Sequence, residues 1–298
     1  MKIGLIDVDG HNFPNLPLMK ISAFYKGHGD TAEFYDPLEG QCAPYDKVYI
    51  SKVFTFTADY QYPIYADEII SGGTGYDISE KLPPDMESVM PDYSLYPRYS
   101  EAYGFLTRGC PRQCKFCIVG QKEGVVSRKV SDLSGFWNGQ KSIKLLDPNL
   151  LACRDRISLL EQLIDSQSWI DFTQGLDIRL MTEEITDLIM KCKKKMIHFA
   201  WDSEKDSALI CEKLRAFKKQ TGIDRRKAGV YVLTNFNTSF AFDLYRVYEI
   251  RSMGFDPYIM IYDKEKADRQ YIRLQRWVNG KRIFRTCERF EDYKPKIG

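Results

Sequence analysis

Strand-like and helix-like segments alternate along most of this chain, and that alternation limits the fold more than any other feature. Short runs with strand character are predicted at 102–107, 142–146, 170–173, 196–201, 228–233 and 257–262. Helical patterns lie between them, at 130–137, 154–166, 183–192, 206–221 and 239–253. Alternation of this kind favours parallel sheets. Six such units are too few for a closed eight-stranded barrel, but they suit an open, partial (βα)6 TIM-like barrel.

A smaller set of alternating segments comes first. Strand patterns at 2–9, 31–35, 47–56 and 68–71, with a helical stretch at 16–27, predict a small Rossmann-like parallel α/β domain. A segment rich in Pro, Tyr and Asp follows at 79–100 and indicates a linker wrapped on the surface. The predicted fold class is therefore α/β. Its parts are a Rossmann-like domain over 1–90, a partial barrel over 91–263 and a basic C-terminal extension over 264–298.

Three cysteines with the spacing Cys-x3-Cys-x2-Cys, at positions 110, 114 and 117, carry most of the chemical information. One short loop with this spacing can place three thiolates around a single inorganic centre. A structural zinc ion needs a fourth protein ligand, and no Cys-x2-Cys or His-x3-His pair follows. An iron–sulfur cluster held by three cysteines leaves one iron open, although four-cysteine ligation is usual. The loop falls just after the first predicted barrel strand, where catalytic groups lie in βα barrels.

Composition and charge exclude some classes of protein. The other five cysteines are scattered singly, the first residues show no signal-peptide core, and no apolar run approaches the roughly 18 residues of a membrane span. We therefore expect a reducing, cytoplasmic setting without membrane contact. The 43 basic and 41 acidic residues leave a net charge of only +2, so no nucleic-acid partner is expected from the overall charge. The basic excess is local, with 11 Lys and Arg against 5 Asp and Glu over 264–298.

The cysteine spacing, with Phe116 just before the last cysteine, resembles the signature of the radical S-adenosylmethionine (radical SAM) superfamily. That superfamily has the same six-unit partial barrel with the cysteines after its first strand, and the resemblance covers roughly residues 100–263. It implies a [4Fe-4S] cluster on Cys110, Cys114 and Cys117, whose open iron binds S-adenosylmethionine. It further implies reductive cleavage of that cofactor to a 5′-deoxyadenosyl radical, which abstracts hydrogen from a small-molecule substrate. The implied electron donor is a flavodoxin or ferredoxin.

The resemblance also implies which residues contact S-adenosylmethionine. Phe116 would lie against adenine, with plain packing as the alternative. Asp147 and Asn149 stand where the superfamily often has Gly-Gly-Glu, and an ordinary Asp-Pro-Asn turn is the alternative. Asp177 and Arg179 would bind ribose hydroxyls and a carboxylate, unless they form an ion pair with each other. Asn235 is the polar candidate after the fifth barrel strand.

Substrate contacts are predicted at other strand ends. Trp201, Asp202 and Tyr262 follow the later barrel strands, and packing is the alternative for Trp201. Asp7, Asp9, His11 and Asn12 follow the first strand of the N-terminal domain. Their Asp-x-His pattern is similar to that of cobalamin-binding domains, but Pro14 replaces the expected glycine and the domain is short. We therefore do not expect cobalamin, and these residues could close the substrate pocket or form a polar turn.

The sequence predicts a compact enzyme acting on a small molecule, because neither a second cysteine cluster nor a cysteine-rich extension is present. Its layout is similar to that of small radical SAM lyases that act on queuine in 7-deazaguanine salvage, which implies cleavage of a carbon–nitrogen or carbon–carbon bond. No catalytic residue is identified. Two alternatives stay open: a cobalamin-dependent radical SAM methyltransferase, and a zinc-stabilised protein that binds nucleic acid through the basic C-terminal extension.

Overall fold

The computed structural model describes residues 1–10 and 12–294. In the N-terminal region the described strands are β1 (Lys2–Asp7), β2 (Thr31–Phe34), β3 (Tyr45–Ser51) and β4 (Ala66–Gly72). They form a parallel sheet in the order β2-β1-β3-β4. Helices α1 (Leu16–Gly27) and α2 (Pro37–Cys42) connect the first three strands. The strands predicted for this region are present, with β3 ending at Ser51 rather than at residue 56.

Both faces of this sheet are covered, as parallel sheets require. Ile3 and Leu5 pack into one apolar cluster together with Leu18 of α1. Ile6 belongs to a second cluster, which contains Val48 and Ile50 of β3. The nearly continuous apolar run of β1 is explained by this burial on two sides.

The segment 79–100, predicted to be a surface linker, is anchored to the N-terminal region. It contains the short helix α3 (Pro84–Glu87). Asp92 accepts hydrogen bonds from Ser22 and Lys26 of α1, each at 2.7 Å. Burial alone would raise the pKa of Asp92, but these bonds lower it to about 2. The segment also contributes buried side chains to the N-terminal core: Met86, Leu95 and Tyr96.

The rest of the chain alternates strands and helices. Its described strands are β5 (Ala102–Gly104), β6 (Thr107–Arg108), β7 (Arg128–Lys129), β8 (Ser142–Leu145), β9 (Trp169–Phe172), β10 (Lys193–Lys194), β11 (Ile197–Ala200), β12 (Ala228–Thr234) and β13 (Asp256–Ile261). The helices among them are α4 (Val119–Lys122), α5 (Arg156–Asp165), α6 (Glu183–Lys191), α7 (Ser207–Thr221) and α8 (Phe240–Ser252). The strands form two parallel sheets, β10-β9-β8-β5 and β11-β12-β13, while β6 and β7 make an antiparallel pair.

Each of the six predicted strands of this region is present, and the chain has an α/β fold built on parallel sheets. Burial alternates along the strands: Ile143 and Leu145 of β8 are buried in the main core, whereas Lys144 between them is not. The helix predicted over 130–137 is wrong. Only a single 3-10 turn, Leu133–Gly135, forms there, since Ser131, Ser134 and Gly135 are poor helix formers.

The predicted basic extension packs against the preceding fold as far as it is described, and residues 295–298 lie outside the described residues. It forms α9 (Arg269–Asn279) and α10 (Lys281–Thr286). Trp277 and Phe284 are buried in the main core. Arg285 donates to Asp256 at 2.7 Å, and Lys281 donates to the carbonyl of Pro257 at 2.6 Å. Much of its positive charge is therefore used within the fold.

Candidate functional site

The cysteine loop begins directly after β6 and is held by its own backbone. The Cys110 N–H donates to the carbonyl of Gly124 at 3.0 Å, and the Cys117 N–H donates to the carbonyl of Cys114 at 2.9 Å. Cys110 and Cys114 are half-buried and Cys117 is exposed, and all three are free thiols. The loop therefore presents three unoxidised sulfur ligands near the surface.

The three thiols share one electrostatic environment. Burial raises the pKa of Cys114, and the neighbouring sulfurs of Cys117 and Cys110 raise it further. The guanidinium of Arg179, which comes from the segment after β9, acts in the opposite direction. Thiolates are the form that binds metals, so a cationic centre or Arg179 would favour the ligating state.

A metal centre requires several donor side chains that converge on one point. Among residues 1–10 and 12–294, no group of three or more His, Cys, Asp or Glu side chains is arranged to hold a metal ion. The chemistry of the loop nevertheless fits an iron–sulfur cluster, because cysteine thiolates are the usual cluster ligands and these three have no disulfide partners. The cysteine loop therefore matches an iron–sulfur cluster in the type of its ligands and in their spacing along the chain.

Gly109 sets the direction in which the chain enters the cysteine loop. Its φ is +90°, and a Cβ at this position would collide with the carbonyl oxygen of Val126 and lie 3.1 Å from that of Gly124. The left-handed backbone and the close approach of two carbonyl groups both require glycine.

We expect Gly109→Ala to destabilise the fold more than Gly139→Ala, which has a similar φ of +84° but open space around its Cα. Both variants should lose about 1–2 kcal/mol from the left-handed conformation. The collision at Gly109 should add about 1–3 kcal/mol. Urea denaturation of the two variants measures the difference, and equal losses would show that the contact with Val126 does not constrain the loop.

A chain of hydrogen bonds joins the cysteine loop to the segments after β8 and β9. The Asn149 side-chain amide donates to Sγ of Cys110 at 3.5 Å and to Oδ2 of Asp177 at 3.3 Å. Asn149 is buried, and its Oδ1 accepts no hydrogen bond from the described residues. A buried amide oxygen without a donor is costly, and a ligand N–H would satisfy it. Asn149 and Asp177, which the sequence analysis predicted separately, thus lie together at the cysteine loop.

Asp177 and Arg179 form the ion pair that the sequence left open as an alternative to ligand contacts. Nε of Arg179 lies 2.7 Å from Asp177, and Nε of Arg112 in the cysteine loop lies 2.6 Å from the same carboxylate. Arg179 also pairs with Asp206 at 2.5 Å. Burial would raise the pKa of Asp177, but the two arginines lower it overall. The carboxylate therefore stays ionised and ties the cysteine loop to the end of β9.

Asp147 supports the strand before the cysteines rather than facing a ligand. Its buried carboxylate accepts from the N–H of Leu106 at 3.2 Å, and from the N–H and hydroxyl of Thr107 at 2.5 and 2.6 Å. The predicted contact with the methionine amine would have to use the carboxylate that already accepts these bonds. They make Asp147 a positioning residue for the β6 strand that leads into the loop.

The buried carboxyl group of Asp147 should make the free energy of unfolding depend on pH. Burial raises its pKa from 3.8 to about 6, against the lowering effect of the bonds from Thr107 and Leu106. The folded state therefore binds more protons than the unfolded state between about pH 4 and pH 6, and the stability contributed by Asp147 falls as the pH rises through that window. We expect wild type to lose about 2 kcal/mol relative to Asp147→Asn between pH 4 and pH 7. Urea denaturation at both pH values measures this, and a constant difference would contradict it.

Aromatic side chains form the other side of the cysteine loop. The ring of Phe116 packs edge-on against Phe236 with 5.4 Å between centroids, and Phe236 packs against Tyr262 at 4.7 Å. Asn235 has a φ of +64° and donates its side-chain amide to the carbonyl of Tyr262 at 2.9 Å. Phe116, Asn235 and Tyr262, which were predicted separately, are therefore brought together.

Trp201 is a core residue, not a substrate contact. Its side chain is fully buried, and its indole N–H donates to Ser207 at 3.2 Å. This is the packing role that the sequence left open as the alternative. Asp202 accepts from the Leu233 N–H at 2.9 Å, and burial raises its pKa while Arg246 and Arg179 oppose that shift. Asp202 thus joins the ends of β11 and β12.

The polar residues after β1 are engaged within the N-terminal region. Asp9 accepts from the Val53 N–H at 2.5 Å and from the Thr57 hydroxyl at 2.7 Å, which fixes the loop after β3. Asp7 accepts from the hydroxyl of Tyr96 at 2.7 Å. Asn12 is exposed, and His11 lies outside the described residues.

Three residues at the site were missed by sequence reasoning. Arg112 and Asp206 complete the ion-pair network around Asp177, and Phe236 joins Phe116 to Tyr262. Arg112 lies inside the cysteine run and Phe236 directly follows Asn235, so both were close to recognised signals. Their partners could be known only once the loops were placed together.

No protein-family model matches the chain, and no curated protein matches its sequence. In the described part of the chain, no helix has the length and apolar character of a membrane span.

Proposed function

We propose that this chain is a radical SAM enzyme. The observation that carries the proposal is the position of the cysteine loop, which follows β5 and β6 and is hydrogen-bonded to Asn149 and Asp177 from the segments after two neighbouring parallel strands. Ligand sites in α/β folds lie at the carboxyl ends of parallel strands. The loop thus combines cysteine spacing typical of the superfamily with the place where its chemistry would occur.

In this proposal the two parallel sheets form the wall of a six-unit partial barrel. The N–H of Leu176 donates to the carbonyl of His198 at 2.7 Å, and a Cβ on Gly175 would lie 3.0 Å from the same oxygen. The segment after β9 therefore runs against β11 in the other sheet. Lys144 and Asp171, which alternate with buried residues along β8 and β9, would face the lumen.

Cys110, Cys114 and Cys117 would hold the [4Fe-4S] cluster, and Asn149, Asp177, Arg179, Asn235 and Phe116 would surround S-adenosylmethionine. When bound and reduced, the cluster supplies the electron that cleaves the sulfonium of that cofactor. The chain itself positions and shields the reactants. The amide of Asn149 donates to Sγ of Cys110, and hydrogen bonds to ligand sulfurs are one way in which proteins set the potential of a cluster.

We propose a small-molecule substrate and a flavodoxin or ferredoxin as electron donor. Lyase action on queuine is the specific prediction of the sequence, and incubation of the reduced enzyme with queuine tests it separately from the class. The zinc-stabilised nucleic-acid-binding alternative is weakened because basic residues of the C-terminal extension contact the fold itself. Arg285, for example, donates to the carboxylate of Asp256, and Lys281 donates to the carbonyl of Pro257.

Metal and cofactor analysis after anaerobic purification tests the class. We expect about four irons and four sulfides per chain and, after reduction, an electron paramagnetic resonance signal that changes on addition of S-adenosylmethionine. A colourless protein with one zinc would contradict the proposal. Bound corrinoid absorbance would instead support the cobalamin-dependent methyltransferase.

A further inference from the structure

A large cavity lies beside the segments that lead into and out of the cysteine loop, and the three cysteines do not line it. Its volume is about 780 Å³, and it is enclosed by α1, the ends of β3 and β4, the segment 80–88, and the region around β5 to β7. Small-molecule sites commonly have volumes of about 300–1,000 Å³. The cavity therefore has the size of a ligand site.

One wall of the cavity is apolar. Side chains from separate parts of the chain meet there: Ile21, Ile70, Leu82, Met86, Val130 and Phe136. Such a wall would accept the hydrocarbon or aromatic part of a ligand, since burial of apolar surface is the main favourable term in binding.

The other wall carries an excess of positive charge. Lys20 and Arg108 both pair with Glu87, at 3.1 and 3.0 Å, and Arg108 also pairs with Glu123 at 2.8 Å. Lys122 donates to the hydroxyl of Thr74, and no carboxylate of the described residues lies within ion-pair distance of its ammonium group. Three cations therefore face two carboxylates in this cluster. The other charged lining residues add one more positive charge: Glu80, Lys81 and Arg128.

Of these cations, Lys122 is better able than Arg108 to bind an anionic ligand. Two glutamates already occupy the guanidinium of Arg108, whereas Lys122 is half-buried and bonded only to a neutral hydroxyl among its described hydrogen-bond partners. Burial lowers the pKa of Lys122, which reflects the incomplete compensation of its charge. A bound oxyanion would supply the missing negative charge.

We infer that this cavity binds a small amphipathic anion, with its apolar body against the wall around Ile70 and one acidic head group at Lys122. The site does not depend on the proposed radical SAM activity. It does adjoin the cysteine loop, because Gly124, whose carbonyl accepts from the Cys110 N–H, lies two residues after Lys122. Occupancy of the cavity would therefore stiffen the segment that closes the loop.

The inference is tested with two fluorescent dyes of similar shape, the anionic 8-anilinonaphthalene-1-sulfonate and the uncharged N-phenyl-1-naphthylamine, on the full chain. We expect both dyes to bind with one site per chain. Lys122→Met should weaken the anionic dye about tenfold, the effect of losing a charge-assisted hydrogen bond, and should leave the uncharged dye within about threefold. No cofactor is needed, so the result is independent of the metal analysis.

Cavity-filling variants locate the binding. Ile70→Trp and Val130→Trp, which place the added ring at two separate positions of the apolar wall, should each block both dyes. Ile69→Trp is the matched control, because Ile69 is 49% exposed and does not line the cavity. Circular dichroism establishes which variants are folded. Unchanged dye binding in a folded filling variant, or equal weakening of both dyes in Lys122→Met, would overturn the inference.

Discussion

Replacing any one of Cys110, Cys114 and Cys117 with alanine is expected to abolish cleavage of S-adenosylmethionine and to reduce the bound iron from about four per chain to less than one. The three thiols lie on one loop, and they are close enough that Cys110 and Cys117 raise the pKa of Cys114. A cluster held by only three protein ligands would keep just two attachments in each variant, which is too few to retain it. Iron and sulfide analysis, with chromatography of the nucleoside product, measures both effects.

Cys42→Ala is the matched control, since Cys42 is also a free, exposed thiol but lies at the end of α2. It should retain full iron content and activity. If a Cys114→Ala variant kept four irons and normal turnover, the cysteine loop would not be the cluster site.

The largest expected effect on stability comes from Arg246, which is fully buried with Asp243. Its guanidinium donates to the carboxylate of Asp243 and to the carbonyls of Trp201 and Leu233, the latter at 2.8 Å. Arg246→Met should lower the free energy of unfolding by about 3–5 kcal/mol, because it leaves the buried charge of Asp243 without its cation. Urea denaturation measures this loss.

Arg215→Met is the matched comparison. Arg215 pairs with Glu249, but its side chain is 60% exposed, and an exposed ion pair contributes about 0–1 kcal/mol. A loss for Arg246→Met as small as that for Arg215→Met would show that the buried pair does not hold the ends of β11 and β12 together.

The positions of the strands along the chain could be predicted from sequence, because they depend on local patterns. Ile143 and Leu145 alternate with Lys144, and each strand is bounded by turn residues. The 130–137 segment has some apolar residues at helical spacing, yet its two serines and its glycine leave only one turn. The helix prediction for this segment gave too little weight to the low helix propensity of these residues.

The hydrogen-bond partners within the site could not be predicted, because they join residues far apart in sequence. Arg112 and Asp177 are separated by 65 positions, and Asp147 reaches back 40 positions to Thr107. A carboxylate at the end of a strand is equally compatible with a ligand, an ion pair or a backbone contact. Trp201 shows the same limit, since the strand-end position did not reveal that its side chain points into the core.

The radical SAM proposal is tested most directly by turnover of the wild-type chain. After anaerobic reconstitution, the enzyme is reduced with dithionite in the presence of S-adenosylmethionine, and 5′-deoxyadenosine and methionine are quantified. We expect both products in equal amounts, dependent on reductant and absent from the three cysteine variants. A chain that holds about four irons but forms no 5′-deoxyadenosine under these conditions would contradict it.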